Sequence, residues 1–555
     1  MRGPTTSTAE PSNGLATKSR SQQNLPDAIP NAQRQRHDFD KTSDTDRGDA
    51  DQSANPDPED TQLTPKISQT DDGVTFEALV DRLLAQPMSK SDNKFQAIFL
   101  ALYRKFAAPC QLLDGIIERF DEIAADDLPQ ITKAHHQLRH LNILEQWISQ
   151  YPGDFAYPTT RKALEKFISR IRQVRLYSVA ARELQANLDV SSEDDDTDWA
   201  FSDRTLQRAR LVGDGLSKEV VGLAISDDDP PLSPKSGRSP SASTSTSSSQ
   251  AMLNIVESAS RQARQLTPSP KVALSKIQWR SFMEHPDDVI AKELTRQDWT
   301  IFTSIRPRDL IRHVSLSAND KKKYRSLSNV QGMIDHFNHI SYMCTNLILL
   351  RDKPKHRALM LEKVMRVARE LRKLNNYNSL GAILAGVNSS AVHRLSATKD
   401  LIPKDVHRDF MKLEILMGSQ KSHFAYRLAW ENTPGERIPY LPLHRRDLVS
   451  ASEGNRTFIG VDSDQEMEER WLAAAASSSS SNGGKGDIVD GDIRINWKKF
   501  EILGEGIVSI QRAQRVPYPR FQVCDEVRSL VVDTEIIRDD DVSLPFLFHH
   551  NSTKY

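Results

Sequence analysis

Apolar residues recur at helical spacing in two stretches of this chain and fall away between them. Phe95, Ile98, Phe99, Leu102 and Phe106 follow an i, i+3, i+4, i+7 rhythm, which lays one apolar stripe along a helix. Leu141, Ile143, Leu144, Trp147 and Ile148 continue the pattern until Pro152-Gly153 stops it. Farther on, Val364, Val367, Ala368, Leu371 and Leu374 share one face of "LEKVMRVARELRKL", whose opposite face is basic. Period-two alternation is scarce and no tandem repeat is evident. The pattern therefore predicts an all-α protein with two helical domains, 72–188 and 275–535, the second large enough for a substantial core.

Elsewhere the pattern lapses. Residues 1–71 are mostly Ser, Thr, Pro, Asp and Gln, too poor in apolar surface to offset chain entropy, and are predicted to be disordered. Residues 189–274 read as a disordered linker, with the acidic run "SSEDDDTD" and the low-complexity "PPLSPKSGRSPSASTSTSSSQ". Ser/Thr-Pro pairs at Ser233, Ser239, Thr267 and Ser269 are potential acceptors for proline-directed kinases. "AAAASSSSSNGGKGD" marks a flexible insertion, 460–492, inside the second domain, and 536–555 reads as a tail.

Composition narrows the function classes. Lys and Arg number 74 against 75 Asp and Glu, a balance unlike that of a nucleic-acid or membrane-surface binder. Cys110, Cys344 and Cys524 lie far apart, with neither disulfide nor metal-ligand spacing, and read as reduced, buried thiols. No apolar run reaches the roughly 20 residues of a membrane span, and no signal or prenylation motif stands at either end. The expected location is cytoplasmic, with any recruitment to a membrane left to partners.

"LAGVNSSAVHRL" (384–395) places Ser389, Ser390 and His393 close together, the residue types of acyl transfer. No third orienting group and no G-x-S-x-G turn accompanies them. The serines suit a helix end and a new N-cap, which leaves Asn388 as a polar group at an element boundary, where binding residues often sit. Just upstream, Gly381, Ala382, Ala385 and Gly386 allow another helix to approach closely. P-loop, H-E-x-x-H and C-x-x-C motifs are absent from the sequence, and His135-His136 and His549-His550 lack companions at ligand spacing. No cofactor or metal is expected. The G-x-G of "EILGEGIVSI" lies in an apolar helical pattern, and "KKKYR" (321–325) reads as a solvated basic face. In "RIPYLPLHRRDLVSASEGNRTFI", Pro439 and Pro442 rigidify the entry to about three helical turns that Gly454-Asn455 close. Val449 and Glu453, four apart, share a face near the helix tip. On an arbitrary helix they would be a packing residue and a solvated one.

Taken in order and spacing, "NNYNSLGAILAGVNSSAVHRL", "FAYR" (424–427), "IPYL", "RDL", "EGN" and "INWKKFEILGEGIVSIQRAQRVPY" resemble the catalytic domain of Ras-type guanine-nucleotide exchange factors over about 285–533. "TFEALVDRLL", "FLALYRKF" and "ILEQWISQYPGDF" resemble the Ras exchanger motif domain that precedes it in this family, and the style is that of a fungal member. The resemblance implies two helical domains, a protruding helical hairpin and catalysis without covalent chemistry, so not an enzyme in the bond-making sense. The implied partner is a Ras-subfamily small GTPase of Ras, Rap or bud-site type, and GDP, GTP and magnesium belong to that partner. By motif position, Val449 would bring apolar bulk to the magnesium site, and Glu453 would compete with nucleotide at the phosphate loop. Asn388, Asp335, Tyr440 and Arg446 would face the GTPase, with Ser390, Arg394 and Gly454 as structural support. The first domain would pack on the second and brace the hairpin. Asp335 stands where several members carry arginine, Pro442 replaces a usual glycine, Ser452 replaces a usual acidic residue, and the insertion follows the hairpin helix directly. These departures bear on partner choice and keep open an alternative, a GTPase-binding scaffold without exchange activity.

Overall fold

The computed structural model describes residues 73–86, 89–190, 192–194, 199–213, 247–460, 466, 470 and 494–538. The expected tail 1–71, Ser233, Ser239, residues 539–555 and nearly all of the insertion lie outside the described residues.

The first domain comprises α1 (Phe76–Leu84), α2 (Lys90–Leu102), α3 (Pro109–Ala125), α4 (Gln130–Gln150), α5 (Pro158–Arg172) and α6 (Ser178–Leu188). After α7 (Asp203–Gly213) and α8 (Ser248–Arg264) comes the two-residue strand β1 (Val272–Ala273). The second domain continues with α9 (Lys276–Glu284), α10 (Asp287–Thr303), α11 (Pro307–Ser315), α12 (Ala318–Lys321), α13 (Leu327–Leu349) and α14 (Pro354–Lys373). Next are α15 (Tyr377–Val387), α16 (Ser390–His393), α17 (Ser396–Lys399), α18 (Lys404–Met417), α19 (Gln420–Asn432) and α20 (Leu441–Glu453). Strands β2 (Phe458–Ile459) and β3 (Arg494–Ile495) precede α21 (Trp497–Gln514), α22 (Asp525–Val532) and β4 (Thr534–Glu535). The all-α expectation holds, and among the described residues no helix is long and apolar enough to cross a membrane.

Helix starts follow the chain's local chemistry. Thr75 accepts the Ala78 N–H at α1, and Ser89 with Asp92 and Ser275 with Gln278 form capping boxes at α2 and α9. Asn375, at φ +52°, turns the chain between α14 and α15, a left-handed position that asparagine tolerates. The small-residue face of α15 packs as expected against α13. A Cβ at Gly386 would sit 2.5 Å from the Ser341 carbonyl oxygen, so the approach needs glycine. Ala382 is buried there, whereas Ala385 points to solvent.

The stretch 189–274 departs from its reading as a disordered linker, because α7 and α8 lie within it. Small polar side chains, which composition reads as disorder, make much of their contact, alongside Leu206, buried against Ala108. Asp203 accepts from the Thr160 hydroxyl at 2.6 Å and from the Cys110 N–H at 2.8 Å. Ser249 and Ser260 are buried: the Ser249 N–H donates to Asn187 at 3.1 Å, and Asn329 of α13 donates to Ser260 at 2.9 Å. Helix α8 thus touches both domains. Thr267 and Ser269 are exposed, and the Ser269 N–H bonds the Val532 carbonyl at 2.8 Å.

Two buried carboxylates organise the interior. Asp154, at the 3-10 turn Pro152–Phe155 after α4, accepts from Arg104 (2.8 Å), Tyr103 (2.7 Å) and Trp147 (2.8 Å) of its own domain. Arg308 of α11 forks onto it at 2.7 and 3.0 Å. The same guanidinium donates to the Leu100 and Ala101 carbonyls at the end of α2, so its charge also meets the negative end of a helix. Burial alone would raise the Asp154 carboxyl, but Arg308 and then Arg104 hold it well below the usual carboxylate range. In the second domain, Asp298 of α10 accepts from Asn376 (2.8 Å), Asn378 (2.9 Å) and the Ser379 hydroxyl, which pins the start of α15.

Asp154→Ala would leave two buried guanidinium groups without their shared anion. We expect it to cost about 3–5 kcal/mol, read by denaturant unfolding; a loss within error of zero would show that the hub does not hold the domains together. A second expectation concerns acid. Burial lowers His140, His313, His339 and His444 to about 4. Each is neutral in the fold and titrates near 6.5 in an unfolded chain, so the unfolded state binds more protons below that pH. Stability should be complete above about pH 6.5 and fall toward pH 4, by up to about 1.4 kcal/mol per pH unit for each histidine. Melting curves at pH 7.5, 6.5 and 5.5 check this, and an unchanged midpoint at pH 5.5 would contradict it.

Candidate functional site

Helix α20 starts from Tyr440, with Pro442 in its first turn, where a missing N–H costs nothing. Leu441, Leu443, Leu448 and Ala451 turn inward, while Arg446, Ser450 and Glu453 face solvent and Val449 is half-buried at the border. The helix ends at Gly454, as expected, but not through a left-handed residue, since Gly454 has φ −75°. A Cβ there would come within 2.6 Å of the Ser450 carbonyl oxygen. Asn455 donates to the Ala451 carbonyl at 3.2 Å, satisfying one of the acceptors freed at the helix end. The sequence Glu453-Gly454-Asn455 is thus a compact stop that leaves the glutamate exposed on the last turn.

Helix α20 packs against α21, and an antiparallel ladder pairing Phe458 with Ile495 and Ile459 with Arg494 closes this hairpin. Val74, just before α1, pairs with Ile495 through N–H···O bonds of 3.0 and 2.8 Å. The first domain also crosses α21 directly. Phe95 packs on Trp497 with ring centroids 4.8 Å apart, and Phe106 on Phe500 at 5.0 Å. A Cβ at Gly504 would fall 2.4 Å from Ile98, whereas Gly506 faces Leu448 of α20. The G-x-G does lie in an apolar helix, as read from the sequence: one glycine admits α2 and the other lies against α20.

The near end of α20 is fixed by α19. The Tyr426 hydroxyl and His444 Nε2 are 2.7 Å apart, and the same hydroxyl accepts the Tyr440 N–H at 2.9 Å. Arg427 pairs with Asp447 at 2.7 Å, and Trp430 donates to Ser509 of α21 at 2.7 Å.

The other expected site residues fall on neighbouring helices. The half-buried Tyr440 ring lies over Gly381, where a Cβ would meet it at 2.8 Å, and beside Phe337, with centroids 5.9 Å apart. Asp335 is exposed on α13 and accepts from Gln331 at 2.9 Å. Asn388, exposed at the end of α15, is seven residues beyond Gly381, about 10 Å along a helix. It donates to Glu414 of α18 at 3.0 Å. Ser389 precedes α16 but makes no capping bond with its side chain, and instead lies 3.3 Å from the Thr345 hydroxyl. Ser390 is exposed, and its carbonyl accepts from Arg394 Nε at 3.1 Å. Arg394, expected to brace the domain, is exposed, and that bond steadies its own turn.

The sequence reading missed an apolar ridge beside Asn388. Ile415 (69% exposed) and Met411 on α18 accompany Phe424 (57% exposed) and Leu428 on α19. Lys421, Ser422 and His423 all have positive φ, 48° to 61°, a costly run for residues with side chains that kinks the chain just before Phe424. Exposed apolar clusters of this kind mark interaction surfaces. The i, i+4 spacing of Met411 with Ile415 and of Phe424 with Leu428 was the available signal, but periodicity does not say which face is buried.

Comparison with known proteins gives two family matches, the RasGEF domain over residues 289–501 and the RasGEF N-terminal motif over 72–167. Ras guanine nucleotide exchange factor A of Dictyostelium discoideum is 27% identical over 398 residues, covering 71% of this chain and 54% of that protein. Factor J of the same organism is 27% identical over 68% of this chain and 40% of its own length, and factor I is 28% identical over 68% and 38%. The chain thus matches about half or less of the length of these curated relatives.

Gly504→Leu would force bulk into the crossing of α2 with α21. We expect a cost of about 1–3 kcal/mol, with faster hydrogen exchange in α20 and α21 than in α14. Unchanged exchange in both hairpin helices would mean that the first domain does not brace them.

Proposed function

The chain belongs to the Ras-type guanine-nucleotide exchange factor family, and from that premise we propose that it binds a Ras-subfamily small GTPase and releases its GDP through the hairpin α20–α21. The observation that carries this reading is the exposed Glu453 on the last turn of α20, with Val449 one turn before it. A small GTPase holds GDP through phosphate-cradling amides, a lysine and a magnesium ion. A carboxylate brought to that loop competes with phosphate for the same donors. The C-terminal end of α20 carries partial negative charge, which reinforces Glu453. Val449 offers apolar surface to magnesium, a hard cation that keeps oxygen ligands and gives them up reluctantly. No covalent bond forms. The factor binds the nucleotide-free form more tightly than the loaded one and shifts the population toward it, and GTP then refills the site.

Asn388 and the ridge of Ile415 and Phe424 would seat the GTPase, with Tyr440 and Arg446 beside the hairpin. The charge of Asp335 bears on which GTPase is chosen, since like charges across an interface exclude wrong partners. The protein would act in the cytoplasm and reach a membrane through partners. Asp335, Ser452 and the insertion after Ile459 favour a second reading, a scaffold that holds a GTPase without speeding exchange.

Release of a fluorescent GDP analogue, measured on Ras, Rap-like and Rho-like GTPases, separates the two. We expect at least about tenfold faster release from one Ras-subfamily member, with Glu453→Ala removing most of that roughly 1.4 kcal/mol effect. Deletion of 72–188 should also abolish it, because α2 and Val74 hold the hairpin. A silent panel alongside capture of nucleotide-free GTPase would establish the scaffold instead.

A further inference from the structure

A cluster far from the hairpin has a different chemistry. A ring nitrogen of His285, the Cys524 sulfur and a Glu526 carboxylate oxygen all lie within 4.8 Å of one another. His285 follows α9, Cys524 is the N-cap residue of α22, and Glu526 is in that helix's first turn. The three come from two segments separated by most of the second domain, which is why cysteine spacing in the sequence does not reveal them.

We propose that His285, Cys524 and Glu526 form a zinc(II) site that fastens the C-terminal strap, α22 with β4, to the turn between α9 and α10. Imidazole, thiolate and carboxylate together are a zinc ligand set, whereas calcium and magnesium take oxygen ligands. The Cys524 sulfur and Glu526 Oε2 stand 3.6 Å apart. With zinc–sulfur and zinc–oxygen bonds of about 2.3 and 2.0–2.2 Å, a tetrahedral edge between those atoms is about 3.6 Å. The remaining two edges are at most 4.8 Å, so they need closure by no more than about 1.4 Å, within reach of side-chain rotation.

The surroundings prepare the ligands. His285 Nδ1 lies 2.7 Å from the Ser281 carbonyl oxygen, which can only accept, so Nδ1 is the donor there and Nε2 is the nitrogen left to meet a metal. That second bond is the usual way a ligating histidine is oriented. The Cys524 N–H donates to Glu293 at 3.4 Å, which fixes the cysteine's backbone. Nearby cations are paired: Lys363 with Asp287 at 2.7 Å, and Arg528 with Asp525 at 3.4 Å. A cleft of about 400 Å³, lined by Ser281, Asp525 and Glu526 among others, lies alongside and offers water as the fourth ligand. Three protein ligands with one open position is an arrangement zinc accepts.

Binding replaces the Cys524 S–H bond with a sulfur–zinc bond and releases the proton to solvent, so affinity rises with pH. The strap is already sewn in by Thr534 paired with Val272 and by the Lys271 N–H on the Asp533 carbonyl at 2.7 Å. The ion would lock its helical start as well.

The test uses the full chain and zinc or cobalt(II) alone, and it does not depend on exchange activity. We expect one zinc per chain against a chromophoric chelator, a sulfur-to-cobalt charge-transfer band, and a higher melting temperature with zinc. His285→Ala, Cys524→Ser and Glu526→Gln should each weaken binding at least tenfold, Cys524→Ser should remove the cobalt band, and Cys110→Ser should keep it. Circular dichroism establishes that each variant is folded. Folded wild type that takes up no metal, or zinc held equally by all three variants, would overturn the proposal.

Discussion

The architecture depends on one carboxylate shared across a domain boundary. Asp154 would be costly to bury alone, and Arg308 would be costly to bury alone on the other side. Each is stable only when the two domains meet in one register, with Arg104, Tyr103 and Trp147 filling the remaining acceptor sites. Such a pair adds little net stability compared with a well-packed apolar contact, but it penalises every other arrangement. Placed between a 3-10 turn and α11, it makes the relative placement of the domains a matter of hydrogen-bond geometry as well as of greasy area.

That registration matters because the hairpin is held from outside its own domain. Helix α2 reaches α21 at Gly504, and Val74 adds a strand pairing at Ile495. From α21 the contact passes through Gly506 to Leu448, one residue before Val449. At the other end, Tyr426 and Arg427 grip His444 and Asp447. A helix gripped at both ends presents Glu453 in a fixed position, which is what a group needs if it is to act by displacement.

Local chemistry was legible in the sequence, and long-range pairing was not. The stripe of Phe95, Ile98 and Phe99 announced α2, and Val449 with Glu453 could be placed on one helix face from their spacing alone. Gly504 could be placed in an apolar helix, but its partner Ile98 could not be named. Asp154 and Arg308 each look like ordinary surface charges within "YPGDF" and "RPRDL", because nothing nearby shows that they meet. Helix α8 escaped notice because serines make its buried contacts, and composition counts serine as solvent-loving. The ridge at Ile415 and Phe424 was missed for the opposite reason: apolar periodicity predicts a helix without saying which stripe stays bare.

The ladder at the end of the hairpin has a consequence for how this family of surfaces can diversify. Ile459 and Arg494 are directly paired neighbours, their Cα atoms about 5 Å apart. Closing a loop on such a pair costs entropy that grows only with the logarithm of its length, roughly 0.6 kcal/mol per doubling. Length and composition between those two residues can therefore drift, or be replaced outright by a foreign module, while α20 and α21 stay as they are. The crown of the hairpin is a splice point, where new surface can be grafted beside α20 without redesigning it.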